Sequence, residues 1–342
     1  MTLLERQKRF LDLEETRLLK RAAEWHPERT LPQLSISALS GLSRVEGLDF
    51  ATAVLHDRLL RTPAQAEFTA RLESLDSDAG SQIDLIGIVP GAFYRQHKHT
   101  GADGKRILEI ARLMGVPTEL IPVKSFGALT QNARLIVKWL EARRCRRIVL
   151  VSLSKGSTDV KQALGLPDSQ ATFANVQAWV NFSGIVQGTP LVSWLKARPW
   201  RHFWVRWMLR LQGHSPATIN ELAWGEDAPL TSWPALPAGM RLVHVYGFPM
   251  RRHLCHQWAT RAYERLESLG PNDGGGVLLG DMNQLPGIIC PIWGADHYMI
   301  PAWDALPLLR DIVLASLQPA KLPQASLSAP NPSRQPAIKS RV

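Results

Sequence analysis

The chain has 342 residues and a mass of 38.1 kDa, with 45% hydrophobic and 20% charged residues, a composition typical of a folded globular protein. No apolar run approaches the roughly 18 residues that a membrane helix needs, and charges interrupt the N-terminal stretch where a signal peptide is apolar, so we expect a cytoplasmic protein. The net charge is +10, although residues 1–80 hold 11 Lys and Arg against 13 Asp and Glu.

Two segments carry most of the positive charge. Residues 189–213 contain five basic residues, residues 319–342 contain four, and neither segment contains an acid. Such segments can bind an anionic membrane, an acidic ligand or a nucleic acid. Nucleic acid is the least favoured of these partners, because the sequence contains no recognisable nucleic-acid-binding module. The sequence leaves the oligomeric state open.

The apolar pattern divides the chain into three parts. In residues 1–80 apolar side chains recur every three or four positions, which predicts a helical N-terminal region. In residues 81–317 short apolar runs alternate with helical patterns, which predicts an α/β domain with a mostly parallel sheet flanked by helices. Residues 318–342 are rich in proline and serine, which predicts a disordered basic tail. The predicted strands are 83–91, 118–123, 146–154, 176–184, 241–248 and 287–294.

The third predicted strand ends at Ser154, within the sequence SLSKG. Ligand sites form at the carboxyl ends of parallel strands. A serine nucleophile at such an end needs a sharp turn, which only small residues two positions before and after it allow, and Ser152 and Gly156 meet this condition. The stretch resembles the G-x-S-x-G nucleophile elbow of the α/β-hydrolase superfamily, with serine for the first glycine. It also fits an ordinary turn in which Ser154 caps the following helix.

A nucleophilic serine needs a histidine base that a carboxylate orients. In the α/β-hydrolases that this chain resembles, the order along the sequence is serine, acid, histidine. His297 follows the last predicted strand directly, in the sequence WGADHYM, and is the candidate base. The alternative is a histidine that only caps a turn or packs in the core.

Three aspartates are candidates for the acid. Asp296 precedes His297 directly, and neighbouring side chains on an extended loop point apart, which makes it a poor orienter. Asp273 lies in GPNDGGGVLL, which resembles the acid loop of bacterial lipases, with residues 253–269 as the insertion before it. We therefore prefer Asp273 and keep Asp281 in reserve, although Asn-Asp-Gly also favours a plain turn.

The first predicted strand runs into the sequence IVPGAFYR. The resemblance implies an oxyanion hole formed by the backbone N–H groups of Ala92 and Lys155, which would bind the charge developing on the carbonyl oxygen. Pro90 stands where many lipases have histidine. Phe93 and Tyr94 would then line the acyl pocket.

The resemblance covers residues 82–317 and implies that an insertion at about 189–236 forms a cap over the site. Within it, the sequence WRHFWVRWMLRL predicts a helix with tryptophans on one stripe and arginines on its flanks. The stripe consists of Trp200, Trp204, Trp207 and Leu211. We expect Trp204 and Trp207 to contact substrate, and the helix to act as a lid that touches an anionic membrane at its inner face. The alternative is a stripe packed against its own domain.

Taken together, these features predict a serine hydrolase that cleaves carboxylic esters of lipid-like or other acyl substrates. No cofactor or metal is expected, because Cys145, Cys255 and Cys290 are scattered, and neither H-E-x-x-H nor G-x-G-x-x-G occurs. One alternative is an acyl thioesterase or acyltransferase of the same fold. The other is an inactive hydrolase-like scaffold that binds a membrane or a partner through its basic aromatic segment.

Overall fold

The computed structural model describes residues 11–73, 83–299 and 306–317. Their centre is one sheet of six parallel strands in the order β2-β1-β3-β4-β5-β6. The strands are β1 Leu85–Val89, β2 Thr118–Leu120, β3 Ile148–Leu153, β4 Val176–Phe182, β5 Arg241–Phe248 and β6 Ile288–Trp293. All six predicted strands are present, and the predicted fold class is confirmed.

Helices occupy most of the remaining described residues. The α-helices are α1 Leu13–Glu24, α2 Ile36–Glu46, α3 Leu48–Leu60, α4 Pro63–Glu73, α5 Lys105–Met114, α6 Leu129–Glu141, α7 Lys155–Leu164, α8 Ser169–Thr172, α9 Leu191–Lys196, α10 Pro199–Leu211, α11 Thr218–Glu221, α12 Gln257–Leu266 and α13 Leu306–Ala315. Short 3-10 segments are Leu31–Gln33, Lys98–Thr100, Arg251–His253, Glu267–Leu269 and Leu279–Gln284. None of the helices described is both long and apolar enough to cross a bilayer.

Both faces of the sheet are buried. In β3, Val149 and Val151 pack in a core with α4, α5 and α13, whereas Ile148 and Leu150 pack in a second core with α6 and α7. Because neither face meets water, β3 begins with four consecutive apolar residues, Ile148 to Val151, where a half-exposed strand would alternate. This explains why the strands were recognisable as short apolar runs.

The strand order places a ligand site between β1 and β3. The chain leaves β1 toward β2 on one side and then returns to place β3 on the other side. Neighbouring connections therefore diverge at the carboxyl ends of these two strands, which is where parallel sheets form binding crevices. The loop after β1 begins at Pro90, and the turn after β3 contains Ser154.

The N-terminal helices pack on the same sheet. Phe50 and Val54 of α3 share a core with Tyr246 and Phe248 of β5 and with Trp293 of β6. Helices α1–α3 therefore belong to the packing of the α/β domain and cover its β5–β6 side.

A buried carboxylate fastens α1 to this core. Glu15 accepts a hydrogen bond from Trp293 Nε1 at 3.1 Å and lies 2.9 Å from His253 Nε2.

The predicted boundary near residue 80 falls in residues 74–82, and the predicted tail in residues 318–342, both outside the described residues.

The insertion between β4 and β5 contains α9, α10 and α11. Helix α10 buries Leu209, which packs with Phe126 and Ile219. The tryptophan stripe lies on the exposed side of this helix. The alternative in which the stripe packs against its own domain is therefore wrong.

Candidate active site

Ser154 occupies a strained turn between β3 and α7. Its backbone angles are φ 48° and ψ −118°, a conformation that costs a non-glycine residue about 1–3 kcal/mol. A Cβ atom on Gly156 would lie 2.5 Å from the carbonyl oxygens of both Val89 and Pro90, so this position requires glycine. The close approach of α7 to the end of β1 thus depends on Gly156, the last glycine of the elbow motif.

Ser152, which replaces the first glycine of the motif, has a buried and fully paired hydroxyl. Its Oγ accepts a hydrogen bond from Trp179 Nε1 at 2.7 Å and lies 2.8 Å from Ser157 Oγ. A buried hydroxyl without partners would be costly, so these bonds explain how serine is tolerated here.

The hydrogen-bond chain continues across the sheet. Ser157 Oγ donates to Asn181 Oδ1 at 2.7 Å, and Asn181 Nδ2 donates to His244 Nδ1 at 2.7 Å. His244 Nε2 lies 3.0 Å from the carbonyl oxygen of Pro286, so its proton is on Nε2. Burial lowers the pKa of His244 to about 4, which keeps the ring neutral. A hydrogen-bonded network of buried side chains therefore stabilises the turn that contains Ser154.

His297 joins Ser154 to Asp273. Ser154 Oγ lies 2.9 Å from His297 Nε2, and His297 Nδ1 lies 2.6 Å from Asp273 Oδ2. The backbone N–H of His297 also donates to the carbonyl of Asp273 at 2.7 Å. The structure thus brings the three sequence-predicted residues together in the order that base-assisted nucleophilic attack requires.

The carboxylate of Asp273 has its remaining acceptor sites occupied. Its Oδ1 accepts from the backbone N–H groups of Gly275 at 2.8 Å and Val277 at 3.0 Å. The side chain is fully buried, and these hydrogen bonds hold the carboxylate in place. The glycine-rich loop therefore fixes the position of the acid.

The two other candidate acids point elsewhere. Asp296 accepts from the backbone N–H groups of Cys255 at 3.1 Å and Tyr298 at 2.9 Å, as expected for a side chain turned away from His297. Asp281 accepts from Trp224 Nε1 at 2.5 Å. Neither carboxylate is hydrogen-bonded to His297, so Asp273 is the acid that this geometry selects.

Gly275 lies directly against the imidazole of His297. A Cβ atom on this glycine would be 1.8 Å from His297 Cγ and 2.2 Å from Cδ2. No larger residue fits while His297 keeps its place. The sequence GPNDGGGVLL predicted only an acid loop, although its run of three glycines was the available signal for this contact.

Two backbone N–H groups near Ser154 are free to bind a ligand. Within the described residues, neither the N–H of Ala92 nor that of Lys155 has a hydrogen-bond partner. Ala92 lines the same cavity as Ser154, and Lys155 is the first residue of α7. Both positions were predicted from the sequence.

The side chain of Lys155 forms a buried ion pair that was not predicted from the sequence. Lys155 Nζ lies 2.7 Å from Asp159 Oδ1, and Asn132 Nδ2 donates to Asp159 Oδ2 at 2.9 Å. Burial raises the pKa of Asp159 to about 6, although Lys155 opposes this rise. The i,i+4 spacing of Lys and Asp in KGSTD was the signal in the sequence. The pair anchors the first turn of α7 and with it the Lys155 N–H.

Ser154 and His297 open onto a cavity of about 210 Å³. Apolar side chains form much of its wall, namely Phe93, Leu153, Phe182, Ile185, Trp258 and Met299. Of these, only Phe93 was predicted. Trp258 lies at the start of α12, and no motif in the sequence indicates that this helix reaches the cavity. In the described part of the chain, no group of three or more His, Cys, Asp or Glu side chains could hold a metal ion.

Three predicted substrate-contact residues do not line this cavity. Tyr94 is buried, and its hydroxyl donates to the carbonyl of Val123 at 2.9 Å. Trp204 and Trp207 lie on the exposed side of α10. The loop after β1 turns at Phe93, whose φ is 54°, so Phe93 and Tyr94 diverge. Phe93 stacks on Phe126, with ring centroids 4.8 Å apart.

Strained backbone is concentrated around the cavity. Among the described non-glycine residues, six have positive φ, and Phe93, Ser154 and Met299 of these line the cavity. Ser183, a fourth, lies between the lining residues Phe182 and Ile185. Residues held in such conformations cluster at functional sites because surrounding structure must stabilise them. The strained residues and the hydrogen-bonded residues Ser154, His297 and Asp273 therefore indicate the same candidate site.

No protein-family model and no curated protein matches the sequence. A solved lipase of Bacillus licheniformis in its propeptide form matches the structure with a TM-score of 0.51 and 17% identity, over 70% of this chain and 51% of that chain. The mature form of that lipase gives 0.49 and 17%, over 68% and 92%, and a metagenomic carboxyl esterase gives 0.41 and 19%, over 68% and 74%. Likeness at such identities concerns the fold. The chain has the α/β-hydrolase fold.

Proposed function

We propose that the protein is a serine hydrolase that cleaves carboxylic esters through an acyl-enzyme on Ser154. The observation that carries this proposal is the continuous hydrogen-bond path from Ser154 through His297 to Asp273. This path ends in a cavity beside two unpaired backbone N–H groups. Esterases and lipases share the fold, which is consistent with the proposal.

In the first half of the reaction, Ser154 Oγ attacks the ester carbonyl carbon while its proton passes to His297 Nε2. The carbonyl oxygen becomes an oxyanion, which accepts hydrogen bonds from the N–H groups of Ala92 and Lys155. Asp273 stabilises the imidazolium. The tetrahedral intermediate then expels the alkoxide leaving group, which takes the proton from His297, and an acyl-enzyme remains.

In the second half, water replaces the alcohol. His297 Nε2 takes a proton from this water as its oxygen attacks the acyl carbon, and the same two N–H groups bind the second oxyanion. Collapse breaks the bond to Ser154 Oγ, which regains its proton from His297. The products are a carboxylic acid and the free enzyme. A thioester would follow the same route with a thiol as the leaving group.

The cavity wall supports an acyl group as the part of the substrate that enters. Leu153, Phe182, Ile185 and Met299 present apolar surface next to Ser154. Burial of an apolar acyl chain against such surface is favourable by about 25 cal/mol per Å². The polar side chains of His97, Thr100 and Tyr298 also line the cavity.

A fluorophosphonate probe should label Ser154 and no other serine. The probe reacts with a hydroxyl that a base activates beside oxyanion donors, and Ser154 combines these features. Mass spectrometry of the digested protein would identify the labelled residue, with Ser154→Ala as the control that should remain unlabelled. Absence of labelling, where a control esterase reacts, would contradict the proposal and favour the inactive scaffold.

The pH dependence of kcat/KM should report on the pairing of His297 with Asp273. Burial alone would lower the pKa of His297, but the charge and hydrogen bond of Asp273 outweigh it and raise the pKa above the ordinary value of about 6.5. His297 must be neutral to act as a base, so activity should fall as pH drops through this raised pKa.

Asp273→Asn removes the charge but leaves the burial, so the acid limb of the profile should move to lower pH. The measurement is hydrolysis of a soluble p-nitrophenyl ester from mildly acidic to mildly alkaline pH. An acid limb that stays in place or moves to higher pH in Asp273→Asn would show that Asp273 does not set the pKa of His297.

A further inference from the structure

Helix α10 exposes a row of large apolar side chains to solvent. The exposed fractions are 78% for Trp200, 57% for Trp204, 48% for Trp207 and 66% for Leu211. Phe203 and Met208 are also exposed on this helix. Contiguous apolar surface of this kind is rare on a protein without a partner for it. We call this surface the aromatic face of α10.

Arginines gather beside this face around one tryptophan. The guanidinium carbons of Arg265, Arg198 and Arg201 lie 3.9, 4.1 and 5.5 Å from the ring centroid of Trp194. Arg265 comes from α12, Arg198 directly precedes α10, and Arg201 lies in its first turn. The fold therefore collects this arginine cluster from segments that are distant in sequence.

The cluster lacks a neutralising carboxylate. Within the described residues, none of Arg198, Arg201 and Arg265 forms a salt bridge with an Asp or Glu. Burial, followed by the charges of Arg201, Arg261 and Arg198, lowers the pKa of Arg265, so the positive charges repel one another. An anion with several oxygen acceptors would relieve this repulsion and could bind each guanidinium through two hydrogen bonds.

The same helices also contact the candidate active site. Leu209, on the buried side of α10, belongs to a core against which Ala92 and Phe93 pack. Trp258, at the start of α12, lines the cavity that contains Ser154. A surface that engages α10 and α12 together would therefore touch one helix that lines the cavity, α12, and one that packs behind its wall, α10.

We propose that the aromatic face of α10 and the arginine cluster form a docking site for an anionic phospholipid bilayer. The tryptophans and Phe203 would insert at the level of the headgroups, and the arginines would bind lipid phosphates. A bilayer accommodates the aliphatic side chains of Met208 and Leu211, whereas a nucleic acid would leave them exposed to water. This site stands apart from the proposed hydrolysis, because it uses none of the residues that react with an ester.

The test is co-sedimentation of the full-length Ser154→Ala protein with vesicles, since this variant cannot consume the lipid. Vesicles of phosphatidylcholine containing phosphatidylglycerol should bind the protein, and vesicles of phosphatidylcholine alone should bind it much less. Added salt should weaken the binding, because it screens the arginines. The experiment measures binding and not ester hydrolysis. Its result therefore tests the docking site independently of the proposed hydrolase function.

Two changes should reduce binding by different routes. Replacing Arg198, Arg201 and Arg265 with glutamine should lower the partition coefficient roughly a hundredfold, because each basic residue near an anionic surface contributes about 1 kcal/mol. Trp204→Glu should weaken binding to a comparable degree, since a carboxylate would enter the headgroup region. Circular dichroism would confirm that each variant is folded.

The matched control replaces three other exposed arginines, Arg112, Arg134 and Arg146, with glutamine, which removes the same charge from other parts of the surface. This variant should bind nearly as well as the parent. If both triple variants lost vesicle binding equally, the binding would depend only on the net charge of the protein, and the proposal would be overturned. Absence of binding to anionic vesicles at low salt would also overturn the proposal. So would a result in which the arginine cluster binds a DNA duplex and not the vesicles.

Discussion

Ser154→Ala and His297→Ala are each expected to lower kcat for ester hydrolysis by a factor on the order of 10⁴ to 10⁶. Alanine at 154 removes the oxygen that would form the acyl bond. Alanine at 297 leaves the serine hydroxyl without a base, and a hydroxyl at its ordinary pKa is a poor nucleophile at neutral pH. The 2.9 Å contact between the two side chains makes each depend on the other.

The double variant should be scarcely slower than either single variant, because removal of one member already disables the unit. The residual rate would come from the backbone donors and from binding alone. Steady-state hydrolysis of a soluble p-nitrophenyl ester measures all three variants, and thermal unfolding shows whether they remain folded. Losses that multiply in the double variant would mean that Ser154 and His297 act independently, which the proposed mechanism does not allow.

The strands and the elbow were predictable because their signals are local. A strand buried on both faces has an unbroken apolar run, and the sharp turn after it needs small residues at fixed positions. His297 was identifiable because it follows the last strand directly. The choice between Asp273 and Asp281 needed the structure, since it depends on how the glycine-rich loop folds back toward His297.

Other features depend on packing that no local pattern encodes. The stripe on α10 was predicted correctly as a stripe, but helical periodicity does not say which side meets the core, and here Leu209 does so. The divergence of Tyr94 from Phe93 follows from a positive φ at Phe93, which is uncommon for a bulky residue. The spacing of apolar residues predicted the N-terminal helices. It did not predict that these helices pack against β5 and β6.

Gly275→Ala should lower kcat/KM roughly a hundred- to a thousandfold, although no reacting group is removed. The added methyl group would lie 1.8 Å from His297 Cγ, so the imidazole must move by more than an ångström. A displacement of about 1 Å in a catalytic group can cost a hundredfold in rate. Unlike Gly274 and Gly276, Gly275 has no positive φ, so alanine is acceptable to the backbone and its effect is steric.

Gly41→Ala is the matched control, because a Cβ atom there has no atom within 4 Å and the position lies inside helix α2. It should leave activity unchanged and stabilise the fold slightly, since glycine in a helix costs about 0.5–1 kcal/mol relative to alanine. In Gly275→Ala the Asp273 carboxylate keeps the backbone donor at 275, so the acid stays in place while the base moves. The rate of fluorophosphonate labelling at Ser154 should therefore fall together with kcat/KM, measured well below the unfolding temperature. Near-normal labelling in this variant would mean that Ser154 is activated without His297 at its present position.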